Sequence, residues 1–527
     1  MNGLELILVL LVVAAGLAVA AQRLAVPYPV LLVLGGLALA LIPRLPTVVI
    51  EPHLVLLIFL PPLLFSAAWL TSWRDFAANL RPITLLAVGL VVVTMSAVAW
   101  AAHAIVPGMG WPEAFLLGAI ISPPDAVAAT AVTQRLKIPR RIVTILEGES
   151  LVNDATGLVA YKFALAAVMS GGFSLARAGS QFGLAVVGGV AVGLAVGWLV
   201  AQIHRRLDDF EAETVITLLT PYAAYIPAEH LGVSGVLATV TAGGYLGWRN
   251  PQLLSALTRF RGRGVWSVLL VLFNGLVFIL IGLQLGAISR LPIGVSWGTV
   301  VWQAALVSLV TIAARLVYVP IGTYLPRLLS RKLRQRDPNP PLRAVALIGW
   351  TGMRGIVSLA LALAVPVALP DQSPFPHRGL IIVLSFAVIL VTLLVQALSL
   401  PLVIRALGLR DDGVELREER EALISASQAA VTRLVELDNS VVLHPQLLER
   451  VRAPYDERLT RLTTEAVEDP ECKLTEGESK AYRRLRGEAL AAERQAVVKL
   501  RNQGKISEEV LHKVQEALDL EALQPER

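Results

Sequence analysis

Three carboxylates stand in strongly apolar sequence: Asp125, Glu149 and Asp154, with Glu147 nearer the edge of the same stretch. Ser150, Asn153, Asp154 and Gly157 recur at i, i+3, i+4 and i+7, so a helix puts them on one face. A hydroxyl, an amide oxygen and a carboxylate form a hard-oxygen surface for a small cation, too sparse to hold it permanently. The contact expected here is transient, from Asp154 and Ser150 to a monovalent metal ion such as Na⁺. Polar glue between packed helices is the structural alternative for this face. Around Asp125 the run is Ser122-Pro123-Pro124-Asp125-Ala126-Val127. Successive prolines remove two backbone donors and break a helix, and a helix broken at the membrane midplane offers free carbonyls and half-helix ends to an ion. The plainer reading is a proline kink with Asp125 capping the second half-helix, and the two readings are compatible.

A counter-charge stands in Gly349-Trp350-Thr351-Gly352-Met353-Arg354-Gly355, where three glycines in seven residues predict a second interruption, around Gly352 and Gly355. Depth and charge make Glu149 the expected ion-pair partner of Arg354. Arg315 is a second buried cation with no partner visible in the sequence, and Lys162 is expected to extend its charge to the outer interface.

The elements that must carry these residues are long and apolar. Of the 527 residues 55% are hydrophobic and only 16% charged, below the roughly 25% charged residues of soluble domains. Segments near the 20 apolar residues that a crossing needs fall at about 4–20, 28–42, 54–70, 83–106, 113–134, 143–170, 179–203, 213–229, 232–247, 265–288, 299–325, 343–369 and 378–405. At about 1.5 Å per residue, Asp125 sits roughly 18 Å and Asp154 roughly 16 Å into their spans, near the middle of a core about 30 Å thick. A charge there costs on the order of 2.5–3.5 kcal/mol on insertion scales and is retained mainly beside a cavity or partner. Alternate loops are rich in Lys and Arg, which predicts an odd number of spans, an external N-terminus and a cytoplasmic tail. The N-terminal apolar stretch lacks a basic leader and reads as a retained first span.

Acidic and basic residues number 15 and 28 in residues 1–410, against 25 and 18 in 411–527. This divides a membrane domain, 1–410, from a charged tail, 411–527, with helical periodicity over Glu418 to Leu437 and Lys480 to Lys499. The tail reads as a regulatory or merely solvated helical appendage. Basic residues confined to short membrane loops argue against nucleic acid as a partner, and a lone cysteine, Cys472, excludes an intrachain disulfide. The predicted fold is thus all-α and polytopic, with about 13 transmembrane helices and a helical cytoplasmic tail. Spans 5 and 12 are interrupted and seven apart, so they run in opposite directions. Spans 1–6 and 8–13 then form two inverted-topology repeats, whose matching interruptions point to a transporter site.

The stretches Phe59-Leu-Pro-Pro-Leu-Leu-Phe65, Ser122-Pro-Pro-Asp-Ala-Val-Ala128, Gly148-Glu-Ser-Leu-Val-Asn-Asp-Ala155 and Gly352-Met-Arg-Gly355 resemble the monovalent cation:proton antiporter-1 family. The resemblance covers the membrane domain, and the stretch ending in Asn153-Asp154 is its most specific part. It implies a homodimer with a dimerisation subdomain and a moving core. It implies that Asp154 binds ion and proton, that Ser150, Asn153 and Asp125 support the site, and that Glu149 pairs with Arg354. Many members place Pro after the Asp of the broken helix, whereas here Pro124 precedes Asp125.

The expected activity is sodium/proton antiport at the plasma membrane, with potassium as an alternative cation, serving pH and cation homeostasis. One carboxylate, Asp154, takes a proton or a cation, and the core alternates in access only when occupied. Asn153 is neutral where electrogenic relatives carry a second Asp, so the family pattern implies one-for-one, electroneutral exchange. No enzymatic reaction and no cofactor are expected, only Na⁺ or K⁺ and H⁺ as substrates. The rivals are a gated cation channel, an intramembrane aspartyl hydrolase using Asp125 and Asp154, and a transporter of another solute. Channels build filters from repeated subunits, which two inverted halves fit poorly. The Gly-x-Gly-Asp signature of such hydrolases is absent, and an acid-rich site disfavours anions.

Overall fold

The computed structural model describes residues 3–24, 26–42, 51–125, 138–170, 175–207, 209–253, 256–409, 413–440, 445–464 and 503. The chain divides into two compact units, residues 1–412 and 413–527. Among the described residues it is helical, apart from loops and an isolated bridge between Ala368 and Pro374.

The first unit contains α1 (Gly3–Leu24), α2 (Tyr28–Ala40), α3 (Pro52–Leu70), the short α4 (Trp73–Ala78) and α5 (Leu80–Thr84). A π-helical turn, Leu85–Leu90, leads into α6 (Val91–Ile105), followed by α7 (Trp111–Ile121), α8 (Arg140–Ser170), α9 (Leu175–His204), α10 (Phe210–His230) and α11 (Gly235–Leu253). Next come α12 (Ala256–Leu283), the single turn α13 (Leu285–Ile288), α14 (Trp297–Leu329), α15 (Arg331–Arg336), α16 (Leu342–Trp350), α17 (Ile356–Leu363) and α18 (Arg378–Leu407).

Each of the thirteen apolar stretches carries helix among its described residues. Six helical stretches are long and apolar enough to cross a membrane by themselves: Leu80–Ile105, Arg140–Ser170, Gly179–His204, Arg261–Ile288, Trp297–Leu329 and Arg378–Leu407. Four shorter apolar helices accompany them. The residues predicted to complete the fifth span, 126–134, lie outside the described residues.

A helix that is apolar all round belongs in a core or a bilayer, and two helices show the two cases. α18 is 72% buried over its most apolar window and runs through the interior. The corresponding figure for α9 is 28%, and Leu184, Val187, Leu194, Trp198 and Leu199 point outward from it. The opposite face of α9 carries small residues: Gly189 lies against the backbone of Ser234, just before α11, and Gly193 and Gly197 against that of Ala238 and Ala242 within it. In lipid, where no hydrophobic drive joins helices, such close backbone approach supplies the packing.

Helix starts are set by caps. Ser72, Asp209 and Ser296 accept from the first-turn amides of α4, α10 and α14. The second unit contains α19 (Val414–Ser440) and α20 (Pro445–Thr464), joined where Arg420 donates from Nε and Nη2 to the Leu462 carbonyl at 2.9 and 2.5 Å. The tail helix predicted over 480–499 lies outside the described residues, as does Cys472.

Candidate functional site

The site is built where α7 ends, where α16 gives way to α17, and on the intact α8. α7 stops at Ile121 because Pro123 and Pro124 have no amide to continue the ladder. The amide of Asp125 would bond Ile121 O in a helix; it donates instead to Met353 O at 2.7 Å. The freed carbonyls need other donors. Ser122 Oγ serves Ala119 O at 3.1 Å, and Arg354 Nε serves Ile121 O at 2.9 Å.

A break described on both sides lies between α16 and α17. α16 ends at Trp350, residues 351–355 run outside helix, and α17 starts at Ile356. Ile348 O is served by Thr351 Oγ1 and by Arg315 Nε, both at 3.1 Å. A buried arginine therefore sits at the carbonyl end of each half-helix, where the helix dipole favours positive charge. Behind the break, Thr392 Oγ1 of α18 accepts from Arg354 N at 3.2 Å, and the Arg354 guanidinium also donates to Gly352 O.

Glycines let these segments meet. A side chain at Gly355 would overlap the Asp125 carboxylate, and one at Gly157 would run into the Pro123 ring. α8 lies against both breaks. Asn153, fully buried, donates from Nδ2 to Pro124 O at 2.8 Å, which fixes its amide orientation. Its Oδ1 is buried and accepts no hydrogen bond, and such groups are rare enough to need a reason.

The ion pair at the site differs from the expected one. Glu149 pairs with Arg315, not Arg354: Arg315 Nη1 and Nη2 reach the two carboxylate oxygens at 2.5 and 2.8 Å, with both side chains buried. Arg354 feels Glu149 and Arg315 through space but spends its hydrogen bonds on backbone carbonyls. The physical reason is geometric. Arg354 lies inside the break and is captured by the half-helix end beside it, whereas Arg315 projects from α14 across α16 onto Glu149.

Two cavities meet here. The larger, about 390 Å³, is lined by Asp125, Glu147, Ser150 and Asp154, with Asn274 of α12 and Ser66 of α3. The smaller, about 10 Å³, is lined by Pro124, Asp125, Glu149, Ser150, Asn153 and Thr351; it has room for about one water-sized particle. Asp125 and Ser150 face both. All four predicted ion-site residues, Asp125, Ser150, Asn153 and Asp154, thus converge, with Glu149 on the inner cavity and Arg354 behind the break. Asn274, Ser66 and Thr351 join the lining without having been singled out in the sequence; an Asn within the apolar run 265–288 was the available signal. Lys162 reaches Glu229 of α10 at 3.2 Å near the surface. Among the described residues no group of three or more His, Cys, Asp or Glu could hold a metal ion.

The family defined as sodium/hydrogen exchanger, transmembrane, matches residues 7–406. The chain belongs to the sodium/hydrogen exchanger family. An uncharacterised Na⁺/H⁺ exchanger of Mycobacterium tuberculosis is 37% identical to this exchanger, over 99% of this chain and 96% of the relative. A sodium, potassium, lithium and rubidium/H⁺ antiporter of Bacillus subtilis is 31% identical, over 93% of this chain and 73% of the relative. Among solved structures, the sodium proton antiporter MjNhaP1 of Methanocaldococcus jannaschii shares the fold of this exchanger, with a TM-score of 0.59 at 20% identity, covering 77% of this chain and 98% of that one.

Proposed function

We propose that this exchanger moves Na⁺, with K⁺ as a second cation, against H⁺ at the site around Asp154. The observation that carries this is the convergence of Asp125, Ser150 and Asp154 on one cavity that adjoins the unsatisfied Asn153 Oδ1. Asp125 and Asp154, two of the three carboxylates lining that cavity with Glu147, repel each other, and a bound cation or proton relieves that repulsion. Asp154 takes one or the other, so the two substrates compete for a single group. Ser150 and Asn153 supply neutral oxygens that replace water around a small cation, and Asp125 adds charge and holds the crossing of the breaks. Asn153 carries no charge, which supports one-for-one, electroneutral exchange. The cation range of the Bacillus relative supports a site that is not strict for Na⁺.

On this reading the protein is a homodimer in the plasma membrane with thirteen crossings arranged as two inverted halves. Its N-terminus is outside and its 411–527 tail cytoplasmic. It needs no cofactor and transports without making or breaking covalent bonds.

The test is proton flux in reconstituted vesicles loaded with a pH dye, with a proton gradient imposed and Na⁺, K⁺ or Li⁺ added in turn. Cation-dependent proton movement is expected in the wild type and should be lost in Asp154→Asn, with the variant still folded. Insensitivity to a valinomycin–K⁺ voltage clamp is expected for one-for-one exchange. Full activity in Asp154→Asn would remove the assignment, and no response to any cation would favour a channel or another solute.

A further inference from the structure

A second polar site lies away from the ion site, where α5, the π-helical turn, α8, α14 and α16 meet. It is a cavity of about 60 Å³ with apolar walls, among them Leu86, Ile145 and Val345. That is well above the roughly 10–15 Å³ that a single water needs, so it has room for a compact polyatomic group.

Three guanidinium groups line it, from Arg81, Arg141 and Arg327. One carboxylate answers them. Asp337 takes Arg141 Nη2 on Oδ1 at 2.8 Å and Arg327 Nη2 on Oδ2 at 2.5 Å. Arg141 also donates to Asn79 Oδ1 at 3.0 Å, and Arg327 to the backbone carbonyls of Asp337 and Thr323. Arg81 is left over. Its Nη1 meets Asp337 Oδ2 only at 3.8 Å, and both Nη atoms are buried without a hydrogen bond. Three cations against one anion leave two positive charges in excess at the cavity; Arg327 is buried, whereas the Arg81 and Arg141 side chains are 31% and 47% exposed, open to a ligand from outside.

The backbone is shaped around the same space. The π-helical turn Leu85–Leu90 begins at the cavity wall, and Tyr318 Oη donates to its Leu85 carbonyl at 3.2 Å. Such turns are rare and frequently mark functional sites.

We propose that this cavity binds a phosphate-class oxyanion, held by Arg81 with support from Arg141 and Arg327. The guanidinium fork matches phosphate oxygens, and a dianion balances the two excess charges. The source is either the headgroup of an anionic phospholipid or a free phosphate. Binding also bears on the ion site. The walls include Ile145, one turn before Glu149 on α8, and Ile348 of α16, whose carbonyl holds Arg315 Nε. An anion here braces three helices that position the Glu149–Arg315 pair.

The experiment uses the full chain in zwitterionic nanodiscs, titrated with phosphatidylglycerol or with inorganic phosphate at constant ionic strength. The thermal unfolding midpoint and the bound phosphorus are measured. Wild type is expected to bind and to unfold at a higher temperature, with affinity at least about tenfold weaker in Arg81→Gln and unchanged in Arg290→Gln, which removes an exposed loop arginine. A response to phosphatidylglycerol alone identifies a headgroup, and a response to phosphate identifies a free anion. Ala344→Leu fills the cavity while leaving every charge in place, and it should lose binding even if Arg81→Gln fails to fold. Equal binding in wild type and Ala344→Leu, or no binding of either probe by wild type, overturns the proposal.

Discussion

At the scale of single residues, the buried arginines divide their work by what each can reach. Arg315 meets Glu149 through both carboxylate oxygens, and Arg354 serves carbonyls of the broken helices. Removing one member of a buried pair strands the other charge and costs about 3–5 kcal/mol, while replacing both is far milder. Arg315→Gln should therefore destabilise the exchanger strongly, and adding Glu149→Gln should restore much of the loss. Arg354→Gln should gain nothing from Glu149→Gln, because its lost partners are carbonyls. Unfolding midpoints of the three single and two double variants, with the wild type, form two double-mutant cycles that share Glu149→Gln. Rescue confined to the Arg354 double variant would return Glu149 to Arg354. From the sequence, depth and charge point Glu149 to Arg354 and leave Arg315 without a partner, the reverse of the pairing observed. Helical periodicity gives depth and face, and the lateral neighbour depends on how α14 crosses α16.

At the scale of elements, the breaks were legible because proline and glycine act locally. Pro123 and Pro124 remove two amides after α7, whereas the pair Pro61-Pro62 stays inside the unbroken α3, so the break also depends on the partners that take up the freed carbonyls. What the sequence did not display is that the two breaks bond directly, Asp125 N to Met353 O, since a contact between segments 228 positions apart leaves no periodic trace. Gly355→Ala should disrupt this crossing, because its methyl would occupy the space of the Asp125 carboxylate. The expected result is a loss of cation-dependent proton flux of at least about tenfold, since displacements on the order of an ångström at a site are costly; flux equal to wild type would show that Asp125 can move freely. The loop between α15 and α16 allows a pH test. Burial works against the Asp337 carboxylate, but hydrogen bonds and charge from Arg141, with Arg327, hold it below the usual carboxylate range. A carboxylate depressed in the folded state contributes stability above its unfolded value, about 3.9, and loses it as the pH falls through the folded value. Asp337→Asn should thus lower the unfolding midpoint at neutral pH, and the gap to wild type should narrow in acid. A gap constant from neutral pH to about pH 3 would mean that the charge of Asp337 contributes nothing.

At the scale of the molecule, the family match and the contacts divide the chain at nearly the same place. The match ends at residue 406, and the first compact unit ends at 412. The change in charge seen in the sequence falls there too, after Arg410, and a bilayer excludes charge. Every residue assigned to exchange, from Asp125 to Arg354, lies in the first unit, and α19 and α20 have their own clasp between Arg420 and Leu462. A chain truncated after Asp412 keeps all the groups proposed to bind the ion and the helices that position them. It should retain cation-dependent proton flux in vesicles, with the same order of preference among Na⁺, K⁺ and Li⁺. If only the pH dependence of the rate changes, the tail tunes a transporter complete without it. If the truncated protein assembles in the membrane yet carries no flux, the second unit is part of the transport cycle, and exchange is a property of both units together.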